Sequence, residues 1–412
     1  MEAMVIDGMP VSTVLLPPVS LVVVGILFLP GIRDNRSWRA TVTPLASIIG
    51  SGFLVIAPIL GHLLGARAVL GMLSIVALAY AVGAVIRFNM RHAEPRLESG
   101  ELPPGASWTE RLANTALSLA YVISVAFYLR LLSAFALRGA GLGDGAAADM
   151  LTTLVLAFIG IVGWWRGLDA LERLEEYSVS VKLAVIAALL LGLGAYDWQQ
   201  GFDLSRDPGG EADTWEVLRM LAGLLLVVQG FETSRYLGDA YAADLRIRTM
   251  RRAQWLSGGI YVVFVWLATP LFGLVEGGRI DETGVIDLAA HAAWVLGPML
   301  VVAAIMSQFS AAVADTVGAG GLVEEESRHR IGERQAYPLV AFLAIVLVWS
   351  ANLFEIISLA SRAFALYYLL ETVLAWQISG RLVGADNWRR RAGLAVVGGL
   401  LAFVVVFGKP VG

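Results

Sequence analysis

Ile49-Gly50-Ser51-Gly52-Phe53 sits in the middle of an apolar run over residues 41–63, and Val228-Gln229-Gly230-Phe231 sits in the middle of another over 217–236. Gly50 and Gly230 are 180 residues apart. Glycine costs about 1 kcal/mol relative to alanine inside a helix, so each cluster marks a point where a spanning helix can unwind. Irregular backbone at that depth survives only when it is buried in protein or lines a cavity. One such cluster alone reads equally well as close helix packing, which small residues favour. Matched placement in the two halves of the chain is what points to function.

The surrounding composition is that of a polytopic membrane protein. The 412 residues are 58% hydrophobic and 16% charged, and mean hydropathy is +0.72. Twelve apolar runs are long enough to cross roughly 30 Å of hydrocarbon: near 11–30, 41–63, 67–89, 113–137, 150–165, 177–196, 217–236, 254–275, 292–316, 337–352, 354–378 and 392–408. The first holds Pro17 and Pro18, and the residues before it carry two acids and no base, so it reads as a span and not a secretory signal.

Arginine-bearing connections alternate with basic-poor ones. About 20 of the 30 cations fall in the stretches 31–40, 87–112, 166–176, 237–253, 323–336 and 379–391. The positive-inside rule places these in the cytoplasm and both termini outside; the expected location is a bacterial plasma (inner) membrane.

If 41–196 and 217–378 are each five-span units, the odd count makes the second enter from the opposite face, giving an inverted repeat. Residues 1–40 then supply an extra helix and linker, and 379–412 a C-terminal helix. Carriers built this way bind solute where their discontinuous helices meet, because unwound backbone and half-helix ends offer donors, acceptors and partial charges there. The expected fold is thus all-α, with discontinuous first and sixth core helices.

Lys182 stands out against this pattern. The chain has 28 arginines and two lysines, the other being Lys409. A guanidinium stays charged, whereas an ammonium can give up its proton when desolvated. Two readings of Lys182 stand at this level: a proton or cation-site residue inside the membrane, or a side chain snorkelling past Ser178 toward Glu175 and Glu176.

The motifs together resemble the amino acid, polyamine and organocation (APC) superfamily of transporters. Ile49-Gly50-Ser51-Gly52-Phe53 looks like the first-helix signature of that family. Gly230-Phe231-Glu232, then Leu237-Gly238-Asp239 and Arg246…Arg251-Arg252-Ala253, looks like its sixth-helix stretch, and Glu175 to Lys182 resembles its fifth helix, where sodium-independent members often carry a lysine.

The resemblance implies the five-plus-five fold shared with the bacterial leucine transporter and alternating access. It also implies that the N–H groups of Gly50, Ser51 and Gly52 hold a substrate carboxylate, that carbonyls near Ile48, Ile49 and Gln229 accept from its amino group, and that Lys182 replaces a sodium ion between the first and eighth core helices. Val228 and Phe231 flank the same site. Three features depart from the family pattern: Val228 replaces its usual aromatic, the proline after the sixth helix is absent, and the second acid after Leu237-Gly238 is Ala240.

Other intramembrane charges must face protein or water, since each costs roughly 2.5–3.5 kcal/mol at a helix centre. Arg130, Arg235, Arg362 and Glu371 are candidates for ion pairs or gates, with fixed pairing between helices expected for Arg362 and Glu371. Arg130 can also meet an anionic solute. Glu232, directly after the second break, is a candidate coupling group. Ser307, Ser310 and Thr316 offer hydroxyls of the kind that ligate sodium, or that bond back to their own helix.

His62, His92, His291 and His329 show no metal-ligand spacing, and no Walker or hydrolase motif appears. No enzymatic activity, cofactor, metal or nucleic-acid partner is expected; the lipid bilayer, a small solute and a proton are. The expected function is secondary active transport of amino acids or related small amines, sodium-independent, as a proton symporter or exchanger. The alternatives are a carrier of another small solute (inorganic ion, nucleobase or organic anion) and a transport-dead membrane sensor.

Overall fold

The computed structural model describes residues 5–6, 9–142, 145–168, 171, 174–202, 213–238, 240–274, 282–381 and 387–411. Asp239 and the side chains of Ser51, Glu175 and Glu176 lie outside what is described.

A two-residue antiparallel pair, Val5–Ile6 with Met9–Pro10, precedes an all-helical body. Its membrane helices are α1 (Val11–Leu27), α2 (Arg36–Leu64), α3 (Ala68–His92), α4 (Ala106–Gly139), α5 (Gly145–Arg166) and α6 (Leu174–Gln200). Then follow α7 (Thr214–Ala222), α8 (Ala243–Ala268), α9 (Leu296–Glu326), α10 (Glu333–Ser350), α11 (Leu353–Ser379) and α12 (Asn387–Phe407). Among the described residues, eight helical stretches are long and apolar enough to cross a membrane unaided. The expected spans outside them are the short α1, the broken segment after Thr214, and α10, which opens on Glu333 and Arg334.

Local chemistry sets several boundaries. Asn35 caps α2 by accepting from Ser37 N and Trp38 N at 2.9 and 3.1 Å, occupying donors that have no partner within the helix. At the start of α11, Asn352 accepts from Glu355 N while Glu355 accepts from Asn352 N, the reciprocal capping box.

The segment after α7 is the sixth core helix, and it is broken. Short 3-10 turns, Leu225–Val228 and Phe231–Leu237, flank Gln229 and Gly230, and Gly230 adopts φ +112°. A Cβ there would fall 2.8 Å from Ile48 N, so only glycine lets the break rest on the backbone of α2.

The first core helix corrects one expectation. α2 continues without a gap through Gly50-Ser51-Gly52, so these N–H groups serve the helix ladder and are not presented to a solute. Two glycines weaken a helix by about 2 kcal/mol in all, less than the several kcal/mol for each backbone group left unsatisfied at this depth. What marks the region is its carbonyls: Ala46, Ile48 and Gly50 each accept a side-chain donor, from Lys182, Tyr261 and Gln308 respectively.

α4 is the structural axis, buried along most of its length and packed on α9 and α11. α2 packs on α8, α5 on α10, and the additional helices α1 and α12 lie against α6 and α11. Trp164 and Trp165 at the end of α5 are exposed, as expected of interfacial anchors.

Candidate functional site

A cavity of about 590 Å³ lies between α2, α6, the 3-10 turn Phe231–Leu237, α4 and α9. Ala46, Ser47, Lys182 and Tyr121 form its deep end, Thr233 and Tyr236 a side wall, and Glu325 and Glu333 its mouth. The mouth lies at the arginine-bearing connection between α9 and α10. Toward the opposite side the space is filled. A Cβ on Gly52 would stand 2.7 Å from Val227 Cα and one on Gly61 2.7 Å from the Phe272 ring, while Phe53 packs on Tyr261 and Phe264. Among the described residues this packing fills the side opposite the mouth, the arrangement of one state of an alternating-access carrier.

Lys182 points inward. It is 7% exposed, its Nζ donates to Ala46 O at 2.9 Å, and a Cβ on Gly50 would lie 3.3 Å from that nitrogen and 3.9 Å from Ser307 Oγ. The ammonium thus sits between α2 and α9, and the snorkelling alternative does not describe it. Beside it a void of about 10 Å³, the size of one water, is lined by Ile49, Ser307 and Gln308. Gln308 Nε2 donates to Gly50 O at 3.1 Å, and its buried Oε1 has no protein partner among the described residues.

At the break, Gln229 Nε2 donates to Tyr128 OH at 3.1 Å, and Phe231 stacks on Tyr368 with centroids 5.2 Å apart. Val228 is buried against Ile48 and Tyr261, away from the large cavity. Glu232 is fully buried. Its Oε2 accepts from Gly230 N at 2.9 Å and from Tyr368 OH at 2.6 Å, tying the break to α11.

The intramembrane charges pair between elements. Glu371 pairs with Arg235. Arg362 is exposed and donates to Val405 O at 2.7 Å. Nine residues along an α-helix place two side chains about half a turn apart, so Arg362 and Glu371 face opposite ways. Arg235 also reaches Glu110 at 2.6 Å and Glu94 at 3.8 Å, and Arg246 reaches Glu94 at 2.7 Å. Asn89 Nδ2 completes this buried network by donating to Glu371 at 2.7 Å.

Arg130 meets Asp149 at 3.1 Å and donates to the carbonyls of Val348 and Ala351, so it fastens α4 to α5 and to the α10–α11 turn and does not line the cavity. Ser310 lines the cavity, whereas Thr316 bonds back to Ala312 O at 2.7 Å.

Asp315 escaped the sequence reading. It is 5% exposed, lines the large cavity and accepts a hydrogen bond from Ser124 Oγ. The signal was present, since a carboxylate in an apolar run deserves the same scrutiny as Lys182. The apolar run that holds it ends at 316 in the sequence, whereas α9 extends to Glu326.

A helix broken at mid-depth, a one-sided cavity at the break and intramembrane charges facing protein define a secondary membrane carrier. The chain matches the family of APC superfamily transporters over residues 30–408 and belongs to it. An uncharacterized protein of Aquifex aeolicus (strain VF5) is 46% identical over 387 residues, 93% of each chain. The crystal structure of the manganese transporter of Eremococcus coleocola, in complex with an aromatic bis-isothiourea substituted compound, superposes with TM-score 0.56 at 11% identity, covering 89% of this chain and 86% of that one. The inward-facing conformation of Mhp1 gives TM-score 0.47 at 14% identity over 94% of this chain and 86% of the other.

Proposed function

We propose that this transporter carries amino acids or related small amines, without sodium, in exchange or coupled to protons through Lys182. The observation that carries the reading is the position of the Lys182 ammonium, which bridges α6 to the α2 carbonyl of Ala46 and borders the large cavity. A fixed positive charge between α2 and α9 takes the place a coupling cation would need. Because lysine, unlike arginine, can cycle its proton, loading and unloading that site alters the bond that joins the two helices. Glu232 is the second coupling candidate, through its link between the break and α11.

A small inorganic cation fits less well. Among the described residues no three His, Cys, Asp or Glu side chains converge to hold a metal ion, so the manganese named for the solved structural neighbour is not the favoured cargo here.

The test is uptake of a radiolabelled amino-acid mixture into proteoliposomes, with and without an imposed pH gradient and with sodium replaced by choline. Proton-driven or exchange uptake in choline supports the reading; strict sodium dependence refutes the coupling.

A further inference from the structure

The large cavity has a second charged group at its deep end. Along α9 its wall runs from Ser310 and Ala311 to Glu325 at the mouth, and Asp315 is the one carboxylate between them, set among Ala314, Val317 and Gly318. Asp315 lies four positions from Ala311, whose Cβ is 3.6 Å from a Cβ built on Gly50, next to Lys182 Nζ. One helical turn separates the two positions, about 6 Å. The cavity therefore presents an ammonium on α6 and a carboxylate on α9 at roughly the scale of a small zwitterion.

The carboxylate is positioned. The fully buried Ser124 hydroxyl on α4 shares its proton between Asp315 and the carbonyl of Tyr121. Tyr121, one turn before Ser124, lines the same cavity and packs on α9, its ring 2.9 Å from a Cβ built on Gly318. A carboxylate inside a membrane segment is expensive and in general marks a functional pathway. Placed on the cavity wall and oriented from a neighbouring helix, Asp315 has the geometry of a receptor for a charged group.

We infer that Asp315 receives the protonated amine of the solute, with Ser124 as its positioning residue, and that the carboxylate of a zwitterionic solute faces Lys182. The solute class is then the α-amino acids and not organic anions. The inference rests on the preceding assignment of this cavity as the transport site, and it relocates the amine from the backbone carbonyls of the break to a side chain on α9.

Twenty L-amino acids and a set of simple aliphatic amines, screened by thermal shift on the purified protein, supply the probe. The best binder is then compared by calorimetry with its deaminated carboxylic acid. Wild type should prefer the amine-bearing compound at least tenfold. Asp315→Asn should lose that preference while keeping the wild-type melting temperature, and Asp315→Glu should restore part of it. Should Asp315→Asn not fold, Ser124→Ala keeps the charge and should reduce the preference severalfold.

Failure of every amine-bearing probe to bind wild type overturns the inference. An undiminished preference in folded Asp315→Asn, or in Ser124→Ala where Asp315→Asn does not fold, overturns it too. Proton dependence is read separately. Asp315-dependent amine recognition with sodium-driven uptake would leave this inference standing and refute the coupling.

Discussion

Lys182 Nζ and Ala46 O, 136 residues apart in sequence, are 2.9 Å apart in space, and this one hydrogen bond ties α6 to α2 at the deep end of the cavity. The two helices border the cavity from different halves of its wall, so any change in the charge of the ammonium acts directly on how they are held. Replacing Lys182 with glutamine keeps a donor but removes the charge. Lys182→Gln should fold, bind solute within about tenfold of wild type and lose the dependence of uptake on a proton gradient; counterflow and gradient-driven uptake measured side by side distinguish the two activities.

The buried network around Arg235 predicts a stability effect. Removing one partner from a buried ion pair costs about 3–5 kcal/mol because the other charge is stranded. Arg235→Met leaves Glu371 and Glu110 without their main counter-charge and should lower the melting temperature in detergent markedly. Arg235→Met with Glu371→Leu should recover much of that loss.

Arg362 supplies the contrast. It is exposed and, among the described residues, hydrogen-bonds a carbonyl at the end of α12 and nothing else, so Arg362→Ala should change stability by less than about 1 kcal/mol and leave transport near wild type in the same assays. An effect as large as that of Arg235→Met would show that Arg362 belongs to the inner network.

Gly52 tests the one-sided state. Its missing Cβ is what allows Val227 to approach, and Gly52→Ala should disfavour closure on that side. The chain contains no cysteine, so a cysteine at Ala314, on the cavity wall, can report access without background. Its labelling by an impermeant maleimide from the side of the arginine-bearing connections should fall in Gly52→Ala. Unchanged labelling would mean that the contact does not control the opening.

Gly230 should tolerate nothing larger. With φ +112° and Ile48 N 2.8 Å from a Cβ, Gly230→Ala combines backbone strain of about 1–3 kcal/mol with a backbone clash. It should abolish transport even where the protein remains in the membrane, as quantified by uptake per milligram of reconstituted protein.

The helical architecture was legible because apolar runs and arginine-bearing connections reflect the cost of placing charge in lipid. Gly230 announced its break because the position demands a positive φ. Gly50 and Gly52 gave the same local signal but do not break α2, since glycine only lowers the cost of unwinding and tertiary contacts decide whether it occurs. At Gly52 the missing side chain serves close approach to Val227.

Lys182 was visible as a rarity in an arginine-rich chain. Its neighbour across the cavity was not, because Asp315 lies next to the end of the apolar run at 316, and the helix continues ten residues beyond that end. The partners of Arg235 lie in Glu94, Glu110 and Glu371, on segments far apart in sequence, and no spacing rule brings them together.

The most direct test of Lys182 as the coupling group is solute-linked proton movement. Proteoliposomes loaded with a pH-sensitive dye, in sodium-free buffer, are given an amino-acid mixture, and internal pH is followed for wild type and Lys182→Ala. Acidification on adding solute, present in wild type and absent in Lys182→Ala while radiolabelled exchange persists, is the predicted result. Equal acidification in both proteins, or solute accumulation that requires sodium, would contradict it.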